Sequence, residues 1–399
     1  MPPVEIKNNV YWVGAVDWNI RDFHGYSTNQ GTSYNAYLAI DEKTTLFDTV
    51  KKAFWTDLRH NITQLIDPQK IDYIVVNHVE LDHSGSLPEA VEYIKPQKVF
   101  CSPMGEKAIN DHFPNHKFPL QVVKTGDEIS IGEKTVKFYE SRMLHWPDSM
   151  VSYLEEDKIL ISNDIFGQHL ASSERFDDEI SLDELLHHAK KYYANIVMPY
   201  GPIVLKFIEL VGNEKLEPEI LATDHGLIWR KNPGRIIELY KEWSVQKPKR
   251  KAVLVYDTMW GSTELMARAI ERGLLEEGIT VKVMNLSKTH RSDVITEIID
   301  SKAVIFGSPT LNNGYLPSLG DFLTYLKGLR PKDKIGAAFG SYGWGGEAVN
   351  LLNQAMSDMK IEVIDPGLKL KYVPKHAELE SCVELGLKVG KLIKEKVAI

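Results

Sequence analysis

Asn77-His78-Val79-Glu80-Leu81-Asp82-His83-Ser84-Gly85 is the stretch on which the reading of this chain turns. It follows an apolar run, Asp72–Val76, that reads as a strand, and it runs into a Ser-Gly turn. Four side chains able to ligate a metal fall within six residues. His78 and Glu80, two apart, share one side of an extended segment, and Asp82 and His83 then turn toward a second nearby point. One short loop thus supplies two adjacent metals. The competing reading is a polar loop whose acids and histidines pair with one another. For a single histidine or glutamate that reading wins. For the run HxExDH it does not, because four ionisable groups packed so closely carry a charge cost unless a cation offsets it.

Around this loop the N-terminal part of the chain is rich in short β-like runs: Val10–Val13, Tyr34–Ile40 and Thr44–Phe47. Later strands, at Val99–Phe100, Ile159–Ile161 and Ile196–Met198, alternate with helical stretches such as Leu182–Tyr193. The expectation is a mixed sandwich of two sheets flanked by helices. Ser244-Val245-Gln246-Lys247-Pro248-Lys249-Arg250-Lys251, polar, basic and proline-containing, reads as a linker. A Lys/Arg cluster also suits an acidic partner, but solvation of a linker explains it. Beyond it, strands at Ala252–Tyr256, Thr280–Met284, Ala303–Gly307 and Ile335–Phe339 alternate with helices at Thr263–Glu277, from about Asp293, at Glu347–Met359 and at Glu378–Glu395. That alternation predicts a parallel, doubly wound sheet.

At 399 residues the chain exceeds one hydrophobic core. Its 43% hydrophobic and 26% charged residues are an ordinary globular balance. A formal charge of -8 argues against nucleic acid as a partner. No apolar run reads as a membrane span, and Met1-Pro2-Pro3-Val4-Glu5-Ile6-Lys7 lacks the apolar core of a signal peptide. Cys101 and Cys382 form no CxxC pair, so the expectation is a reduced, cytoplasmic setting in which any metal is held by nitrogen and oxygen.

HxExDH resembles the HxHxDH motif of the metallo-β-lactamase fold with its second histidine replaced by Glu80, the form found in the flavodiiron proteins, also called A-type flavoproteins. The rest of that family's pattern follows in order. His145 lies in Met143-Leu144-His145-Trp146-Pro147-Asp148-Ser149, Asp164 in Ile161-Ser162-Asn163-Asp164-Ile165, and His225 in Thr223-Asp224-His225-Gly226. The resemblance implies two non-haem irons: His78, Glu80 and His145 ligating one, Asp82, His83 and His225 the other, and Asp164 bridging them. A donor set of four imidazoles and three carboxylates favours iron or manganese over thiophilic metals. Of the remaining histidines, His187 and His188 read as helix surface, and His60, His112, His116, His290 and His376 as solvent-exposed. His24 and His169 are candidates for orienting a ligand or supplying protons, against plain structural hydrogen bonding. Tyr200, at the end of an expected strand, is a candidate pocket edge or a packed tyrosine.

The strand Ala252–Tyr256 runs into Asp257-Thr258-Met259-Trp260-Gly261-Ser262-Thr263, after which a helix begins. Backbone N–H groups at a helix N-terminus suit a phosphate, although Ser and Thr also cap helices with no ligand. The arrangement resembles the phosphate loop of flavodoxins, with Trp260 where plain flavodoxins commonly carry a hydroxyl. Two further loops follow successive strands: Gly307-Ser308-Pro309-Thr310-Leu311-Asn312-Asn313 and Gly340-Ser341-Tyr342-Gly343-Trp344-Gly345-Gly346. Ligands bind at such carboxyl ends. Small residues admit the isoalloxazine of FMN, amides bond its polar edge, and Trp344 stacks on its face. Neither GxxxxGK[ST] nor GxGxxG occurs, which excludes a nucleoside-triphosphate loop and a dedicated NAD site of those kinds.

The resemblance covers essentially the whole chain. It implies a metallo-β-lactamase-like αββα sandwich over residues 1–249 and a flavodoxin-like doubly wound parallel sheet over 250–399. It also implies reduction of O2 to water, or of NO to N2O, at the irons with electrons relayed through FMN. The implied assembly is a head-to-tail homodimer, or a tetramer built from it. The implied donor is rubredoxin, with reduced deazaflavin as the alternative. Two other readings compete: a dizinc hydrolase of the lactamase fold with an appended flavodoxin, and a flavin and di-iron gas sensor.

Overall fold

The computed structural model describes residues Met1–Ala398, and its contacts divide the chain into two compact units. The first comprises Met1–His24, Thr28–Tyr193 and Tyr200–Lys241; the second comprises Gly25–Ser27, Ala194–Pro199 and the chain from Glu242 on.

In the first unit a seven-stranded sheet runs in the order Val4–Lys7, Val10–Trp12, Tyr37–Ala39, Thr44–Phe47, Ile71–Val76, Lys98–Cys101, Leu120–Val122. Its last four strands are parallel and the others antiparallel. A five-stranded sheet follows the order Glu128–Ser130, Thr135–Glu140, Met150–Leu154, Ile159–Asn163, Ile220–Thr223, with only the last pair parallel. Alternation along the strands builds the layers. Tyr37, Phe47 and Val75 face Phe138, Met150 and Ile161 in the core between the sheets. Leu38, Leu46, Ile74 and Val76 point the other way, onto Leu58, Ile62, Leu87 and Ile94 of the covering helices. Central strands apolar on both faces are what parallel pairing between two layers requires.

The second unit is a parallel sheet ordered Thr280–Asn285, Lys249–Tyr256, Ser301–Gly307, Ile335–Tyr342, Glu362–Val363, with Leu368–Lys371 also beside the fourth strand. Helices Ser262–Glu276, Arg291–Ile298, Pro317–Leu329, Ala348–Asp358 and His376–Lys396 connect and close it. Two of them cross at very short range. A Cβ on Gly273 would lie 2.1 Å from the Val383 carbonyl, and one on Gly386 2.2 Å from that of Ile270. Only glycine admits that approach.

Several sequence expectations are corrected. Ile196–Met198 is not a strand: Tyr193–Val197 is a π-turn and Met198–Tyr200 a 3-10 turn, since a short apolar run does not by itself separate strand from buried helix. Tyr200 therefore ends a helical turn. Tyr34–Ile40 is two strands, Thr32–Tyr34 and Tyr37–Ala39. Between them Asn35 turns its amide to the Thr223 and Gly226 carbonyls, at 2.7 and 3.0 Å. The expected linker is mostly ordered, with Pro233–Ser244 helical and the strand beginning at Lys249. Leu182–Asn213 is long and apolar enough by composition to cross a membrane, contrary to the expectation. It is broken by the Tyr193–Tyr200 turns and buries Leu185, Tyr192, Val204 and Phe207, the pattern of helices packed by one face against a core.

Candidate functional site

Loops at the carboxyl ends of three parallel strands converge in the first unit. After Ile71–Val76, the Asn77 main chain and side chain both donate to Asp48, each at 2.7 Å, and fix the start of the loop. Glu80 then caps a single helical turn, Leu81–Ser84, whose His83 carbonyl accepts from Thr49 N at 3.0 Å and Thr49 Oγ1 at 2.5 Å. Asp164 follows Ile159–Asn163, and His225 follows Ile220–Thr223. His145 comes from the loop between Thr135–Glu140 and Met150–Leu154.

These elements bring the metal-ligand candidates named from the sequence together. His78, Glu80, His145 and Asp164 form one group of ligand atoms, and Asp82, His83 and His225 another. In the first, Glu80 Oε2 lies 3.2 Å from His145 Nε2 and 3.4 Å from His78 Nε2. In the second, Asp82 lies 3.2 Å from His225 Nε2 and 3.4 Å from His83 Nε2. Asp164 joins them. Its Oδ2 is 3.2 Å from His145 Nε2 and 3.4 Å from His78 Nε2, while Oδ1 is 3.4 Å from both His83 and His225 Nε2.

The residues fit a pair of metal ions. Donors held about 2.0–2.2 Å from a common ion stand roughly 3.0–3.5 Å from each other, as these do. Both Asp82 oxygens, Asp164 Oδ1 and His83 Nε2 are buried with no hydrogen bond of adequate geometry. Charge gives the same answer. Burial opposes a charge on His78, yet Asp148, Glu80 and Asp164 lift its pKa well above the usual imidazole value. Against the same burial, carboxylates raise His83 to about 10 and His145 to about 9. Burial would raise Asp82 and Asp164, but facing histidines hold both carboxyls below the usual range. The cluster demands positive charge, and bound metal ions supply it while displacing the imidazole protons.

Sequence reasoning missed the groups behind the ligands. His225 Nδ1 donates to the Ser33 carbonyl at 2.7 Å, and His78 Nδ1 meets Asp148 at 3.0 Å. Asp224 lies 3.8 Å from His83 Nδ1. Tyr192 is buried, and its hydroxyl pKa is raised by that burial and by Asp164. Asp148 and Asp224 stand inside the ligand motifs; nothing local marks Tyr192 or Ser33. Of the candidates, His24 reaches Glu80 Oε1 at 3.5 Å from an exposed position. His169 is buried, shares the Thr32 hydroxyl at 2.8 Å and packs its ring 4.6 Å from that of His225. Burial and the neighbouring histidines push its pKa well down, so it is neutral. Tyr200 does not line the adjoining cavity. That cavity is about 830 Å³, bounded by Phe23, His24, Lys51, Glu80, His145 and Trp146 among others.

In the second unit a separate cavity of about 470 Å³ lies at the carboxyl end of the sheet. Met259, Trp260, Ser262, Pro309, Thr310, Leu311, Asn312, Ser341, Tyr342, Gly343 and Trp344 line it, with Tyr372 and Val373, which follow the last strand and were not anticipated. Thr258, Gly261, Thr263, Asn313, Gly345 and Gly346 shape the loops without lining it. Gly261, at φ +84°, caps the helix Ser262–Glu276 and donates to Thr258 Oγ1 at 3.1 Å. Thr310 N donates to the Ser341 carbonyl at 2.9 Å and Thr263 Oγ1 meets Ser341 Oγ at 3.0 Å, so the three loops are tied together. Trp260 and Trp344 stand 93% and 89% exposed, as walls awaiting a planar ligand or a partner do.

Two family models match: "ODP family beta lactamase" over residues 32–226 and "Flavodoxin" over 254–386. The chain is 48% identical over 401 residues to the rubredoxin-oxygen oxidoreductase of Megalodesulfovibrio gigas, covering 100% of both chains. It is 47% identical to the nitric oxide reductase of Moorella thermoacetica, over 97% of this chain and 98% of that one. The crystal structure of the flavodiiron protein from Giardia intestinalis superposes with a TM-score of 0.95 at 35% identity, covering 98% and 97% of the two chains.

Proposed function

The chain belongs to the flavodiiron protein family, and from that premise we propose that it reduces O2 or NO, with the clustered side chains of the first unit holding the two irons and the loops of the second holding FMN. In this reading His78, Glu80 and His145 would hold one iron, Asp82, His83 and His225 the other, and Asp164 would serve both. The observation that carries this reading is the division of Asp164, each oxygen facing a different histidine pair. Irons held there would offer two adjacent binding points for a diatomic gas and a bound FMN would supply electrons, four for O2 to water or two for two NO to N2O and water.

The chain's residues prepare that chemistry. Phe23 and Trp146 give the cavity beside the ligands apolar walls. His24, 3.5 Å from the outer oxygen of Glu80, steadies that carboxylate and stands where protons enter from solvent. The Thr32 hydroxyl joins His169 to the back of His225, at 2.8 and 3.4 Å, and fixes that ring's orientation. Backbone N–H groups at the start of Ser262–Glu276 would hold the FMN phosphate, and Trp260 and Trp344, which line the same cavity, would pack against its ring system.

Rubredoxin is the electron donor in this reading, following the relative so named; reduced deazaflavin is the alternative. A head-to-tail homodimer, or a tetramer built from it, covers the exposed aromatic rim of the flavin cavity. Full activity from a monomer in mass photometry at working dilution would refute that assembly. A reducing, cytoplasmic location accords with two free, buried cysteines. The dizinc hydrolase is disfavoured by Glu80 and by the carboxylate-rich ligand set.

Stopped-flow reoxidation of the anaerobically reduced protein, with limiting O2 and separately with limiting NO, tests the function. Fast, multi-turnover oxidation by one gas assigns the substrate. Slow oxidation by both, with two irons and one FMN shown to be present, would replace the reductase with a gas sensor.

A further inference from the structure

The two metal positions have differently built backings. His78 Nδ1 meets Asp148 Oδ2 at 3.0 Å, and the same oxygen accepts from Val79 N at 2.7 Å. Asp148 is buried, and its own carbonyl is pinned by Ser102 Oγ at 2.6 Å. It stands three residues after His145, in a loop closed by the bonds Ser141 N to Ser149 O and Met143 N to Trp146 O, at 2.9 and 2.7 Å. One carboxylate thus joins the loop carrying His78 and Glu80 to the loop carrying His145. At the other position His225 leans on a neutral carbonyl, that of Ser33. Behind His83 the nearest carboxylate, Asp224, stands off at 3.8 Å.

We propose that Asp148 is a positioning residue for one metal of the pair: through His78 it makes the His78/Glu80/His145 position bind its metal more tightly than the ligands alone would, while leaving the Asp82/His83/His225 position unaffected. A carboxylate accepting the far N–H of a ligating imidazole fixes its tautomer and ring plane and makes the metal-facing nitrogen a stronger donor. A neutral carbonyl fixes the tautomer but adds less basicity. Asp148 adds a mechanical effect, because its other hydrogen bond holds the main chain at Val79, between His78 and Glu80.

The inference rests on the dinuclear reading of the site, and one experiment separates the two. The full-length protein, with FMN retained and iron removed by chelation, is titrated with Co2+ and followed by its visible d–d absorption and by equilibrium dialysis. His145→Ala identifies which binding step belongs to the first position. Asp148→Asn is expected to weaken that step about 10- to 100-fold and to leave the other within twofold. Should that variant fail to fold, Ser102→Ala, which frees the Asp148 carbonyl and also removes the hydroxyl that accepts from Gly105 N at 2.9 Å at the start of the helix Pro103–His112, is expected to give a smaller loss at the same step. Equal weakening of both steps, or no change in either, would overturn the proposal. Fewer than two Co2+ on the unsubstituted protein would overturn the dinuclear reading, and this proposal with it.

Discussion

The two oxygens of Asp164 face different histidine pairs at 3.2 to 3.4 Å, so replacing the residue acts on both metal positions at once. Asp164→Asn keeps the shape but removes the negative charge that both positions share. Iron should fall from two per chain to below one, with FMN content unchanged, measured by metal analysis and flavin absorbance on the same sample. At this scale the sequence was informative because the candidate ligands come in short runs whose chemistry is local, HxExDH above all, and the fold brings them together. The residues behind them do not. His78 and Asp148 are 70 positions apart, and Thr32 and His169 are 137 apart. Those pairs exist only once strands far apart in sequence lie side by side. Tyr192, read only as a helix residue, takes its place near Asp164 in the same way.

The loops proposed to hold FMN depend on two strands ending side by side with no side chain between them. A Cβ on Gly340 would lie 2.1 Å from the Ser308 carbonyl, a backbone atom that cannot move without shifting the 307–313 loop. Gly340→Ala should therefore loosen FMN by more than about tenfold while far-UV circular dichroism stays native, as a flavin fluorescence titration would report. At the far end of the same sheet Lys334 is buried, donating to the Ile299 and Ser301 carbonyls at 3.0 and 2.7 Å. Burial, helped by Lys302 and Lys251, lowers its pKa to about 7 from an unfolded value of 10.5. Between those values the unfolded chain holds the proton that the folded chain has released. This residue's penalty is thus fully present below pH 7 and fades as pH rises toward 10.5. Urea midpoints at pH 6.5 and 9 should diverge less in Lys334→Met than in the unsubstituted protein. Element types followed their periodicity where runs were long, as in Ser262–Glu276 and His376–Lys396. They failed at Ile196–Met198, where a few apolar residues fit helix and strand alike, Pro199 sits in the 3-10 turn Met198–Tyr200 and Pro202 opens the helix Gly201–Asn213. The helix Pro317–Leu329 had a readable pattern, with proline at its first turn and Leu319, Phe322, Leu323 and Leu326 buried, yet it passed unread between two glycine-bearing loops.

Over the whole molecule each cofactor cavity lies within a unit that has its own core, the sandwich interior of the first and the sheet-and-helix core of the second. Removing iron by chelation should accordingly leave FMN bound at one per chain, and extracting FMN should leave iron at two per chain; loss of both cofactors in either experiment would contradict this independence. The order of elements made both architectures legible, since βαβ alternation and a two-sheet pattern follow from local periods. The exchange of Gly25–Ser27 and Ala194–Pro199 into the second unit was not legible, because no compositional boundary marks it. One plain feature remains, the two cysteines. Cys101 and Cys382 are free, buried, and pushed by that burial to pKa values of about 12. Thiolate is the form that oxidants attack, so a catalyst whose working life is spent consuming an oxidant keeps its own sulfhydryls in the form that oxidants attack least.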